Sequence, residues 1–178
     1  MRVFPILALA GMIAGVPGLA HATDMLSVPT SGNDSLPVAD SGFDWNGFYA
    51  GVFGAARTSP VAGGQLGLGI DAGVNARLEF VLVGAEVAIE GLGGATDTIY
   101  GQALGKAGIA LTDSAILYGT GGIGASLAGP SESDGLLGGG VELALTNDVS
   151  VDARYLHGFA LSGANPKDQI TVGANFHF

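Results

Sequence analysis

The sequence lacks cysteine altogether, is poor in charge, and carries no long apolar run beyond its first twenty residues. Each shortage excludes something. Without cysteine there is no disulfide framework, no thiolate metal site and no cysteine nucleophile. Basic residues are scarce, 6 Lys+Arg against 16 Asp+Glu for a net charge of −10, so a phosphate backbone would be repelled and nucleic-acid binding is not expected. Proline counts only 7 and glycine follows no three-residue period, which excludes a collagen-like chain although glycine reaches 32. Apolar residues make up 48%, too many for a disordered chain. Past Leu19, no stretch is apolar enough to span a membrane as a helix, so any integration there must use strands.

What is present begins with an address. Met1-Arg2 is a short positive start, Val3 to Leu19 is almost wholly apolar, and Ala20-His21-Ala22 offers the small-x-small pattern of a cleavage site. This predicts a Sec-type signal peptide over 1–22 with cleavage before Thr23. The stretch 23–42 is rich in Ser, Pro, Asp and Gly without periodicity and reads as a flexible periplasmic linker. The remaining 43–178 has the length of one domain.

That domain alternates. Between Gln65 and Arg77, the residues Leu66, Leu68, Ile70, Ala72, Val74 and Ala76 share one parity, with Gly, Asp, Asn and Arg on the other. Period two is the mark of a strand, because successive side chains point to opposite faces. The same test yields seven further strands, with apolar faces such as Val81, Val83, Ala85, Val87, Ile89 and Val149, Val151, Ala153, Tyr155. The polar parity holds Arg57, Asp71, Arg77, Glu86, Glu90, Lys106, Glu142, Asp152 and Arg154, and the apolar parity is read as free of Asp, Glu, Lys and Arg. A cation facing lipid at mid-depth costs ~2–4 kcal/mol, so this division predicts an all-β, eight-stranded antiparallel up-and-down transmembrane barrel with apolar residues outside. A soluble barrel would turn its apolar face inward and is disfavoured.

Turns around Arg77-Leu78-Glu79, Thr112-Asp113-Ser114 and Thr146-Asn147-Asp148 alternate with connections expected to be longer, such as 128–135 and 158–167. Tight inner turns, longer outer loops and both termini in the periplasm follow. Phe43, Trp45, Phe48, Phe176 and Phe178 are expected at the inner rim, with Tyr155 and Phe159 near the outer rim, as interfacial girdles. Inside, Glu86 with Lys106 and Glu142 with Arg154 fall at similar depths, with Asp71 and Asp152 close by. These six are expected to form an ionic network that blocks the narrow lumen, since unpaired charges in a confined interior are costly.

Several stretches carry a family likeness. Phe43-Asp44-Trp45-Asn46-Gly47-Phe48-Tyr49-Ala50-Gly51, Leu104-Gly105-Lys106-Ala107-Gly108-Ile109-Ala110, Ile116 to Gly124 and Gly138 to Tyr155 resemble the strands of small OmpA-type outer-membrane barrels, especially opacity-like surface antigens. The resemblance covers 43–178 and implies an eight-stranded barrel in the outer membrane of a Gram-negative cell. It also implies that Ile170, Val172, Ala174, Phe176 and Phe178 are the C-terminal signal read by the barrel-assembly machinery, with periplasmic chaperones as partners during export.

Two motifs tempt and are set aside. Gly119-Thr120-Gly121-Gly122-Ile123-Gly124 satisfies G-x-G-x-x-G, but the chain then runs to Pro130 with no helix to receive a dinucleotide. His157, with Ser162 nearby, is read as an interfacial histidine, because a lipid hydrolase would need an acid–base pair at the outer rim that the sequence does not reveal. No cofactor, metal or catalytic residue is expected. The leading expectation is a monomeric, non-enzymatic barrel with a structural or surface role among outer-membrane lipids. A narrow solute channel is the alternative, and a lipid-modifying enzyme comes third.

Overall fold

The structure, a computed structural model, describes residues 42–59, 63–94, 97–129, 131–162 and 166–178. The expected signal peptide, its cleavage site at Ala20, Ala22 and Thr23, and most of the linker lie outside the described residues. Eight strands follow one another: β1 (Gly47–Ser59), β2 (Gly63–Leu78), β3 (Val81–Gly93), β4 (Thr98–Thr112), β5 (Ala115–Ala128), β6 (Ser133–Ala144), β7 (Val149–Ser162) and β8 (Lys167–His177). Each pairs antiparallel with its neighbour in sequence, and β1 pairs with β8, so the sheet closes into a barrel without a free edge. Closure matters physically: in lipid, every unpaired backbone group costs several kcal/mol, roughly, and only a closed ladder satisfies them all.

The alternation read in the sequence sets the two faces. Leu66, Leu68 and Ile70 of β2 expose 72, 77 and 61% of their surface. The large buried side chains instead include Tyr49, Tyr100, Glu90, Glu142 and Arg154. A soluble protein rarely exposes a contiguous apolar patch of more than a few hundred Å²; here most of the outer wall is one. The molecule is apolar outside and polar inside, the arrangement a bilayer selects.

Three expectations need correction. First, the outward parity is not free of charge. Sequence parity in β8 was read from Ile170 onward, but the strand starts at Lys167, and this puts Asp168 on the outer face, paired with His157 of β7 and Thr58 of β1. Among the described strand residues it is the one Asp, Glu, Lys or Arg facing outward. Second, the connections at the two ends differ far less in length than expected. The strands run on into the segments expected as outer loops, leaving residues 60–62, 94–97, 129–132 and 163–166 between them. At the other end the links are 79–80, 113–114 and 145–148. The first of these places Arg77 and Leu78 within β2 and the turn at Glu79 and Phe80, with Glu79 at a φ of 58°.

Third, Phe43 and Trp45 are not rim aromatics. They expose 7 and 0%, and with Leu82, Ile116 and Tyr118 they form a cluster inside the end where β1 starts and β8 finishes. Phe48, Phe176 and Phe178 do face outward there, as do Tyr155 and Phe159 toward the loop end.

Glycine explains how so narrow a lumen accommodates aromatic rings. A Cβ added at Gly73 would lie 2.4 Å from the Tyr49 ring, at Gly69 2.3 Å from that of Phe53, at Gly124 2.2 Å from the Tyr100 hydroxyl, and at Gly140 2.6 Å from that of Tyr118. Each inward aromatic lies over a bare patch of neighbouring backbone, the sheet counterpart of a knob in a hole.

Candidate functional site

The lumen is filled in layers. At the terminal end, the chain preceding β1 turns inward. The Phe43 backbone N–H and the Trp45 indole N–H both donate to the Asp113 carbonyl, each at 3.3 Å. Asp44 accepts from the Asn46 backbone N–H and side-chain amide at 3.0 Å each, while Asn46 Oδ1 accepts the Arg77 N–H at 2.7 Å. The Asn46 backbone bond, more than its side-chain bond, holds the Asp44 carboxyl below the usual carboxylate range. Above this segment sits His177, edge-on to Phe43 and Trp45 at 4.8 and 5.8 Å and stacked on Tyr49 at 5.5 Å.

The next layer is ionic. Glu142 accepts from Ser150 Oγ at 2.6 Å and Asn175 Nδ2 at 3.1 Å, lies 3.3 Å from His177 Nε2, and pairs with Lys106 at 3.2 Å. Ser150, His177 and Glu142 do not make a catalytic triad, because serine and carboxylate both meet Nε2, whereas a triad needs the acid on the other ring nitrogen. Lys106 lies over the rings of Tyr118 and Tyr49, at 4.6 and 5.0 Å. Arg154 pairs with Glu86 at 2.5 Å, and Glu86 accepts from Tyr49 Oη at 2.7 Å. Asp152 accepts the Tyr118 hydroxyl. Asp71 Oδ1 is buried without a hydrogen-bond partner.

The six residues expected as a network therefore meet in one region, with different partners. Adjacency of β3 and β4 suggests Glu86 with Lys106; the structure joins Glu86 to Arg154 across the barrel, and Lys106 to Glu142 over the intervening β5. In a lumen this narrow, long side chains reach past their sheet neighbours, so adjacency in the sheet is a poor guide to pairing.

Toward the loop end lies a layer that the sequence reading missed. Arg57 Nη2 bonds Glu90 at 2.6 Å and Gln169 at 2.7 Å, while Gln102 and Gln169 donate to Glu90 at 2.9 and 3.0 Å. The guanidinium covers the Tyr100 ring at 4.1 Å. Tyr100 Oη donates to Asp134 at 2.6 Å, and Lys167 joins Asp134 and Glu132 at 3.0 and 2.6 Å. Parity gave a usable signal: Arg57, Glu90 and the three tyrosines all lie on the inward set. Lys167 and Asp134 lie where glycine, serine and proline suggest loops, yet they belong to β8 and β6.

One polar group of residues faces outward. His157 Nδ1 lies 2.8 Å from Asp168 Oδ1, and Tyr155 Oη donates to the same oxygen at 2.5 Å. The His157 and Asp168 side chains are 35 and 52% exposed. An acid–histidine pair thus exists near the loop end, contrary to the sequence reading, which found none. The Ser162 side chain lies outside the described residues.

No protein-family model and no curated protein sequence matches the chain. Solved structures do. The chain is similar to Ail, the attachment invasion locus protein of Yersinia pestis, at 15% identity and a TM-score of 0.55, over 74% of this chain and 96% of that one. It is similar to the N-terminal β-barrel domain of Pseudomonas aeruginosa OprF at 10% identity and a TM-score of 0.54, over 75 and 99%. It is similar to Neisserial surface protein A at 17% identity and a TM-score of 0.50, over 74 and 97%. The fold is that of the small outer-membrane β-barrels. At these identities the likeness concerns the fold alone, and function has to be argued from the site.

Proposed function

We propose that this protein is a monomeric outer-membrane barrel of a Gram-negative cell with a structural and surface role, its lumen closed and its termini in the periplasm. It works without catalysis, as a membrane wall element rather than a channel. One observation carries the reading: charged and aromatic side chains interlock through the lumen, with Glu90, Glu142 and Asp134 exposing 1, 0 and 0%. Filling of this kind is what an eight-stranded circumference leaves room for.

The likeness to outer-membrane barrels and the apolar wall support the location. The connections of two to four residues offer little surface for gripping a large partner. The outward row Ile170, Val172, Ala174, Phe176 and Phe178 suits recognition by the barrel-assembly machinery, with periplasmic chaperones carrying the chain to it. In cells, the protein is expected in the outer-membrane fraction as a heat-modifiable band. Its deletion is expected to raise sensitivity to detergents and bulky antibiotics while uptake of small solutes stays unchanged. Unaltered detergent resistance together with slowed solute uptake would overturn the reading in favour of a channel.

A further inference from the structure

The outward polar group, on β7 and β8, and an apolar groove over β1, β2 and β8 share the strand β8. Gly54 of β1 faces outward between its register partners Leu68 and Val172. A Cβ there would have the Val172 carbonyl as its nearest neighbour, at 4.0 Å. Lacking that side chain, the wall has a groove of about 700 Å³ bounded by Val52, Leu68, Ile70, Val172 and Ala174. Four residues further along each strand, Thr58 pairs with Asp168. At roughly 3.3 Å per residue, the polar group and the groove are ~13 Å apart, within the reach of one fatty-acyl chain.

The chemistry of the polar end selects its ligand. Tyr155 and His157 both occupy Oδ1 of Asp168, which leaves Oδ2 of the carboxylate as an open acceptor. The carboxylate is the one charge on the outward strand face among the described residues. With no Lys or Arg beside it there, a headgroup offering only negative charge is repelled, and a hydrogen-bond-donating cation is attracted. We propose that Tyr155, His157, Asp168 and the Gly54 groove form a binding site for one membrane lipid with a primary-amine headgroup: ammonium on the open Oδ2 of Asp168, acyl chain against Gly54. The site rests on the reading of the barrel as membrane-embedded.

The test refolds the barrel into vesicles of equal phosphatidylethanolamine and phosphatidylglycerol, then counts lipids retained after mild detergent release by native mass spectrometry. A heat-modifiability gel on each sample reports barrel insertion separately. The expected result is one retained phosphatidylethanolamine per barrel in preference to phosphatidylglycerol. Asp168→Asn is expected to cut retention about tenfold, on the scale of a lost charge-assisted hydrogen bond, and Gly54→Leu to reduce it by filling the groove. Gly105→Leu, on the outward face of β4, is expected to leave retention unchanged. Equal retention of both lipids, retention by Asp168→Asn and Gly54→Leu matching the wild type, or release as a dimer that Gly54→Leu disrupts would each overturn the site while leaving an inserted barrel intact. Failure of every sample to insert would overturn it together with the membrane reading.

Discussion

Glu86 and Arg154 are each nearly enclosed, so neither can lose its partner without stranding a charge. Removing one member of such a pair costs about 3–5 kcal/mol, whereas replacing both with apolar groups costs far less. Glu86→Ala is therefore expected to destabilise the barrel by that amount in urea unfolding from vesicles, and Glu86→Gln with Arg154→Met by much less than the sum of its parts. Glu86 and Lys106, which both meet Tyr49 but pair with Arg154 and Glu142 instead, should show the weaker coupling of the two pairs; a stronger one would favour the pairing suggested by strand adjacency. Glycines divide at the same scale. Gly124→Val must displace the Tyr100 ring and is expected to cost about 1–3 kcal/mol. Gly105→Ala has its nearest neighbour at 3.8 Å and is expected to be neutral or to stabilise by about 0.5–1 kcal/mol. At the β2–β3 turn, Glu79→Gly relieves a left-handed residue and is expected to gain about 1 kcal/mol.

The strands themselves were legible because a half-apolar strand must repeat every two residues, and every inner side chain named here lies on the parity opposite the apolar set. Their ends were less so. β7 continues through Phe159 and Leu161 to Ser162, and β8 begins at Lys167, yet glycine, serine and proline nearby read as loop. The segment before β1 was misjudged for another reason: an aromatic beside a membrane strand can serve a rim or fill an end, and only the closed geometry puts Phe43 and Trp45 inside. That segment makes a prediction of its own. Trp45 is the protein's single tryptophan and is fully buried, so its emission is expected to be blue-shifted and barely quenched by iodide. Emission like that of free tryptophan in water would mean the segment is not docked. Because the folded Asp44 carboxyl is held below its ordinary range, its contribution to docking is complete at neutral pH and lost as pH falls through the carboxylate range. Asp44→Asn should flatten that acid dependence of Trp45 quenching.

For the molecule as a whole, sequence parity establishes inside and outside, but not which charges meet. Pairing in the lumen depends on the circumference of the closed barrel and on which rings lie over which glycines, neither of which is local in sequence. The acid–histidine pair on the outer wall stayed hidden for the same reason: His157 and Asp168 come together only through the β7–β8 register. On the proposed reading of a closed lumen, three layers, an aromatic end, a central ionic cluster and the Arg57–Glu90 layer, must all open before solute can pass. The measurement that tests this most directly is the conductance of the refolded barrel in planar bilayers, beside a variant carrying Phe43→Ala, Trp45→Ala, Glu86→Ala and Arg57→Ala. The account predicts a silent wild type and discrete openings only in the variant; regular single-channel openings of the wild type would contradict it.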